Sequence, residues 1–147
     1  MKQQDKDKEL LLKDLCARLP YGVKVSCIGD SNHVYNLELI DITDNEVYIS
    51  TYEPCYSNKY TNIESIRPYL FPLSSMTEEQ REKLHELWDS NMSAALDCAI
   101  YGDELKRGLH QLTAAKKVNE WCYENHLDIN NLITNRLAID ATGLNIY

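Results

Sequence analysis

The side chains here with the most latent chemistry are five cysteines, Cys16, Cys27, Cys55, Cys98 and Cys122, and four histidines, His33, His85, His110 and His126. A zinc site normally shows two close-spaced ligand pairs. Only Cys122 and His126 stand four apart on a stretch of helical period, and Cys98 or His85 would have to be brought to them by folding. No metal site is expected. A catalytic thiol–imidazole pair assembles in space rather than in sequence, but no cysteine sits in a recognisable local signature. Cys16, Cys98 and Cys122 fall on apolar helical faces and Cys27 alternates inward on a strand pattern, the usual place of a structural thiol. Cys55, between Pro54 and Tyr56, is the one expected in an exposed loop. The glycines occur singly, so no phosphate-cradling loop exists. The sequence therefore points to no catalytic residue and no cofactor, and an enzyme of unrecognised type is the third choice among three functional readings.

Tyrosine is the second unusual feature. Ten Tyr against one Phe and two Trp give ring area with a polar tip, suited to half-buried strands and contact surfaces. Tyr35, Tyr48, Tyr52, Tyr56, Tyr60 and Tyr69 all lie on or beside strand patterns. They are either a recognition surface for a partner or rings packed under helices, and aromatic residues in strands favour the second.

The elements that must position these residues follow from period and punctuation. Glu9 to Leu19 reads as a helix, with Leu11, Leu12, Leu15, Cys16 and Leu19 on one face; Lys2 to Lys8 is expected to fray. Pro20 and Gly22 end the helix. Strands are expected over Val23–Ile28, Val34–Ile42, Val47–Tyr52 and Tyr56–Ile63, with Tyr35, Leu37 and Leu39 facing one way. The last is polar and reads as an edge that could pair with a second copy. Ile63 to Leu70 reads as a helical turn plugging the sheet. Thr77 to Gln80 is a capping box, opening a helix to Tyr101 through Leu84, Leu87, Trp88, Asn91, Ala95 and Ala99. Leu105 to Gly108 is ambiguous. A second helix covers Gln111 to His126, with Leu112, Ala115, Val118 and Cys122 on one face, and a short third covers Ile129 to Leu137. The tail from Ala138 is irregular or extended. The fold class is α+β: an N-terminal helix, a small antiparallel sheet of SH3-like partial-barrel type, and a helical C-terminal half. Residues 1–73 carry the helix and sheet, and 74–147 the helical region packed on it, as one compact domain.

The formal charge of −8 is spread along the chain: five basic against four acidic residues in 1–21, three against seven in 22–73, seven against twelve in 74–147. That field repels a phosphate backbone and suits a basic or protein partner better. A nucleic-acid role would need a local patch, for which Lys13, Arg18, Lys24 and Arg67 are the nearby cations. With no signal-peptide pattern, no membrane-length apolar run and unpaired cysteines, reduced thiols in a cytoplasm are expected.

Three stretches together carry a resemblance: Leu11–Val23 (LLKDLCARLPYGV), Ile66–Glu79 with its IRPYL and PLSSMTEE segments, and Asn125 to Tyr147 with NHLD, LI and LAIDA. In these the chain resembles a group of small proteins of unknown function from Bacteroidales genomes, often in prophages and mobile elements. Phe71, where a basic residue is expected, and Ile129–Asn131 depart from that pattern. The resemblance implies a bacterial or phage-borne cytoplasmic protein and brings no activity with it. The first reading of function is thus a non-catalytic protein-interaction module of such a system, and the second a nucleic-acid accessory protein.

Overall fold

The computed structural model describes residues 2–51, 58–100 and 102–147, with the side chains of 31, 32, 91 and 94–99 outside that description. The α+β class stands as expected: an N-terminal helix, a mostly antiparallel sheet and two further long helices. The chain divides into two compact units. One joins Met1–Leu73 to His126–Tyr147, and the other is Ser74–Asn125.

Helix α1 spans Gln3–Arg18, so the stretch expected to fray is helical. Asp5 in the first turn accepts the backbone N–H of Lys2, at 3.3 Å, and Gln3 donates to Asp7 one turn on. Such local bonds hold a helix start that carries no apolar signal. The buried face of α1 is Leu11, Asp14, Leu15 and Arg18, spaced i, i+3, i+4, i+7. Cys16 falls off that face and is exposed, contrary to expectation. One 3₁₀ turn, Leu19–Tyr21, and Gly22 at φ +74° then reverse the chain, in a backbone conformation that glycine adopts without strain.

Strands β1 (Lys24–Cys27), β2 (Asp30–Asp41), β3 (Glu46–Ser50), β4 (Lys59–Asn62) and β5 (Ile66–Leu70) form a sheet with β6 (Ile139–Asp140), in the order β4-β3-β2-β1-β5-β6. All pairings are antiparallel except β5 with β6. Ile66–Leu70 is thus a strand rather than part of a helical turn; only Ile63–Ser65 is a 3₁₀ turn. That turn forces the sheet to curl. β4 and β5 lie four strand spacings apart in the row, about 19 Å if flat. Yet they are joined by three 3₁₀ residues, which rise only about 6 Å. The turn is fastened on both sides: Ile63 N–H donates to Asn45 O at 3.0 Å, and Ile28 N–H to Ser65 O at 2.7 Å.

The inside of the curl is the core. Val23, Val25, Leu37, Val47, Ile49, Ile63, Ile66 and Leu70 are buried there with Leu11 and Leu15 of α1. Leu132, Leu137 and Ala138, from the end of the chain, belong to the same cluster. The segment expected to be a third helix is a run of turns, because Asn131 and Arg136 take left-handed φ of +58° and +60°. Asp128 fixes those turns by accepting the backbone N–H groups of Leu132 and Ile133, both at 2.9 Å.

In the second unit, α2 (Glu78–Ile100) starts at the expected capping box: Thr77 N–H donates to Gln80 Oε1 and Gln80 N–H to Thr77 Oγ1. α3 (Glu104–Glu124) takes in the ambiguous Leu105–Gly108 and is capped by Asp103, whose side chain accepts Lys106 N–H at 3.0 Å. The two helices pack on each other. With a three-residue connection, they must run antiparallel.

Candidate interaction surfaces

β3 alternates in burial, with Val47 and Ile49 turned inward and Tyr48 and Ser50 outward. Register then builds a patch. Tyr60 of β4 lies directly across from Tyr48, their rings 4.9 Å apart and tilted at 50°. On the other side Tyr48 faces Leu39 of β2. Strand alternation alone puts Leu39 on the same side as Tyr35 and Leu37. A register shift between Leu37 and Leu39 inserts one extra residue, reverses the parity and sends Leu39 out beside Tyr48. Leu39 is 47% exposed and Tyr60 60%. Among the described residues β4 pairs only with β3, so this patch ends on a free sheet edge. An open concavity of about 470 Å³ is lined by Ser50, Glu38, Asn36 and Lys24, and the Ser50 hydroxyl donates to Glu38.

The other tyrosines have different fates. Tyr35 is 2% exposed and points inside the curl. Its hydroxyl donates to Asp30 Oδ2 at 2.5 Å, His33 Nδ1 lies 2.8 Å from Asp30 Oδ1, and Lys59 Nζ sits 5.0 Å from the Tyr35 ring centre. The Tyr35 and His33 hydrogen bonds hold the Asp30 carboxyl below its ordinary range, and the bond to Asp30 pushes the Tyr35 phenol up. Burial opposes the Lys59 charge, but Cys27, Tyr35 and Asp30 outweigh it and raise Lys59. This cluster ties the irregular start of β2 to β4. Tyr69 is buried under the end of the chain, its carbonyl accepting the Tyr147 hydroxyl at 2.8 Å. Tyr52 and Tyr56, like Cys55, lie outside the described residues.

The helical i, i+4 relation read between Cys122 and His126 is not found. α3 stops at Glu124, and His126 takes φ +57°, so Cys122 and His126 share no helical face. The His126 ring instead stacks on Tyr147, centroids 3.6 Å apart and 12° from parallel. The Tyr147 hydroxyl also accepts Lys24 N–H at 3.0 Å, and Lys24 Nζ donates to Ile146 O. Burial, with the nearby charges of Arg18 and Lys24, lowers His126 to about 4. Burial raises the Tyr147 phenol to about 12, although the residue as a whole is 41% exposed. Among the described residues no three His, Cys, Asp or Glu side chains gather as a metal would need.

The four cations suggested for nucleic acid do not make a patch. Arg18 is fully buried, with Nε 2.7 Å from Asp14 Oδ2 and Nη2 donating to Leu127 O. Asn130 completes the shell of Asp14 at 2.8 Å. Arg67 is spent on the carbonyls of Glu64, Ile66 and Arg136, and Lys24 on the chain end. Lys13 alone is exposed.

A further apolar surface, unforeseen in the sequence, lies on α3. Ala114 and Cys122 are its buried positions. Leu112 and Ala115, expected on that buried face, are exposed. At 100° per residue, Leu105, Leu109 and Leu112 fall on the opposite side, and they are 79%, 56% and 68% exposed. Their i, i+4, i+7 spacing is the available signal. Gly108 interrupts that pattern, and Leu112 also fits the other face. No family model, no curated protein and no solved structure matches this chain.

Proposed function

We propose that the protein is a non-catalytic interaction module that takes an extended segment of a protein partner along β4 and over Leu39, Tyr48 and Tyr60. The observation that carries this reading is the coincidence, among the described residues, of a strand edge that pairs with nothing further and an outward-facing aromatic pair in register on it. Edge addition supplies main-chain hydrogen bonds, and flanking side chains choose the sequence. Aromatic rings give contact area at small entropic cost. The polar concavity offers Ser50, Glu38 and Asn36 to the partner's side chains. An acidic chain favours partners with basic residues around an apolar anchor. On the resemblance to mobile-element proteins, the proposed partner belongs to a bacterial or phage-borne cytoplasmic system.

The nucleic-acid reading loses its support where Arg18, Lys24 and Arg67 are committed to intramolecular bonds. A selection of displayed extended peptides on the whole protein tests the main reading. Enriched peptides should bind at least tenfold more weakly to Tyr60→Ala, with unchanged circular dichroism. Enrichment of nothing, or of peptides indifferent to Tyr60, would show that this edge is no receptor.

A further inference from the structure

We infer that the sheet unit binds a small aliphatic α-amino acid, as its zwitterion, in a cavity of about 230 Å³ lined by α1, by the Ile63–Ser65 turn with the start of β5, and by Leu137. None of the residues lining it belongs to the Tyr48–Tyr60 edge.

Arg67 is the fixed point of the cavity. Its Nε donates to Arg136 O at 3.0 Å, and its Nη1 to Glu64 O and Ile66 O at 2.8 and 2.7 Å. All three acceptors are neutral carbonyls, so they hold the guanidinium in place without a counter-charge. Among the described residues no carboxylate stands at ion-pair distance from it, and Nη2 keeps its N–H donors uncommitted. A planar cation held on one side and open on the other is set up to receive a carboxylate. Lys8 of α1 lines the same cavity, half-buried and likewise in no ion pair among the described residues.

The opposite sign is present too. Glu64 lines the cavity with no bond to its carboxylate among the described residues, and Asp7 accepts the neutral amide of Gln3 at 2.6 Å. Two cations and two carboxylates therefore share one small cavity, and none pairs with another. A simple anion would be attracted by Lys8 and Arg67 and repelled by Asp7 and Glu64, and a simple cation would meet the reverse. A molecule carrying both charges complements all four. Leu11 and Leu137, 1% and 8% exposed, add an apolar wall for a short hydrocarbon chain. The volume lies below the roughly 300–1,000 Å³ of sites for drug-sized ligands, which suits an amino acid and leaves out a nucleotide.

Calorimetric titration of the whole protein with glycine, alanine, valine and leucine tests this. Saturable binding should strengthen from glycine towards leucine. Two analogues of leucine read the charges: 4-methylpentanoate lacks the ammonium and isopentylamine lacks the carboxylate. Each should bind weaker than leucine by about tenfold. Glu64→Gln and Lys8→Gln lie outside the core and should keep the circular dichroism and melting of the ligand-free protein. Glu64→Gln should narrow the gap between leucine and 4-methylpentanoate, and Lys8→Gln the gap between leucine and isopentylamine. No saturable binding of any of the four amino acids overturns the proposal, as does leucine binding indifferent to both variants. Binding of 4-methylpentanoate as tight as that of leucine overturns the zwitterion assignment in favour of a simple anion site.

Discussion

At the scale of single residues, the least exposed chemistry of this protein is structural. Asp14 and Arg18 are fully buried in an ion pair, and they hold the Leu127–Asn130 loop by two further bonds. Removing one partner strands a buried charge, so Asp14→Asn or Arg18→Met should each cost about 3–5 kcal/mol in urea unfolding. The double variant should cost less than their sum, since neither then leaves a lone charge. Spacing put both residues on α1, but the sequence could not show that a loop more than a hundred residues later supplies their remaining partners. His126 makes a pH prediction. Its pKa of about 4 lies below the unfolded value near 6.5, so the unfolded chain binds the extra proton first. Its contribution is complete above about pH 6.5 and is lost as pH falls toward 4. The melting temperature should drop across that window, and His126→Gln should flatten the slope. Asp30, whose folded pKa is also depressed, loses its contribution only as pH falls below its ordinary value of 3.8, outside that window.

At the scale of elements, what was legible was what local rules write into adjacent residues. The Thr77–Gln80 capping box, the stop at Pro20–Gly22 and the alternation of Val47 and Ile49 are all of that kind. What was illegible depends on partners distant in sequence. The bulge that turns Leu39 outward is set by pairing with β3, and no glycine or proline marks it. Ile66–Leu70 reads as a turn because proline sits in it, but its pairing with β1 makes it a strand. The Tyr set was visible as a list, and only register separated inward Tyr35 and covered Tyr69 from the outward pair. That pair should couple measurably. A double-mutant cycle of Tyr48→Ala and Tyr60→Ala should return about 0.5–1.5 kcal/mol of interaction beyond the single losses. Zero coupling in unfolding would mean that the rings do not hold each other at the edge. Asp128→Ala, which frees two backbone donors at a 7% exposed site, should destabilise by about 1–3 kcal/mol.

At the scale of the whole molecule, the sheet unit is discontinuous in sequence, and that has a direct consequence. Leu132 and Leu137 are buried in the sheet's core, and Ile139–Asp140 extends the sheet beside β5. Burying such leucines contributes about 1.5–3 kcal/mol each, a large share of a domain's 5–15 kcal/mol. Loss of Arg18's bond to Leu127 and of Tyr147's to Tyr69 adds unpaired buried groups. Residues 1–73 alone should therefore not fold cooperatively. The chain leaves and returns at one place, however: Phe71 N–H donates to His126 O at 2.9 Å, and Asp128 N–H to Phe71 O at 2.8 Å. A flexible linker of about six residues spans well over that gap. Joining residue 73 to residue 126 through such a linker, with 74–125 removed, should give a protein with a single thermal transition and strand-type circular dichroism. The joined protein keeps the Tyr48–Tyr60 edge and lacks α3. It should retain peptide binding sensitive to Tyr60→Ala, as a receptor edge carried by the sheet unit alone requires. A joined protein that melts without cooperativity would mean that the sheet depends on the helical unit after all.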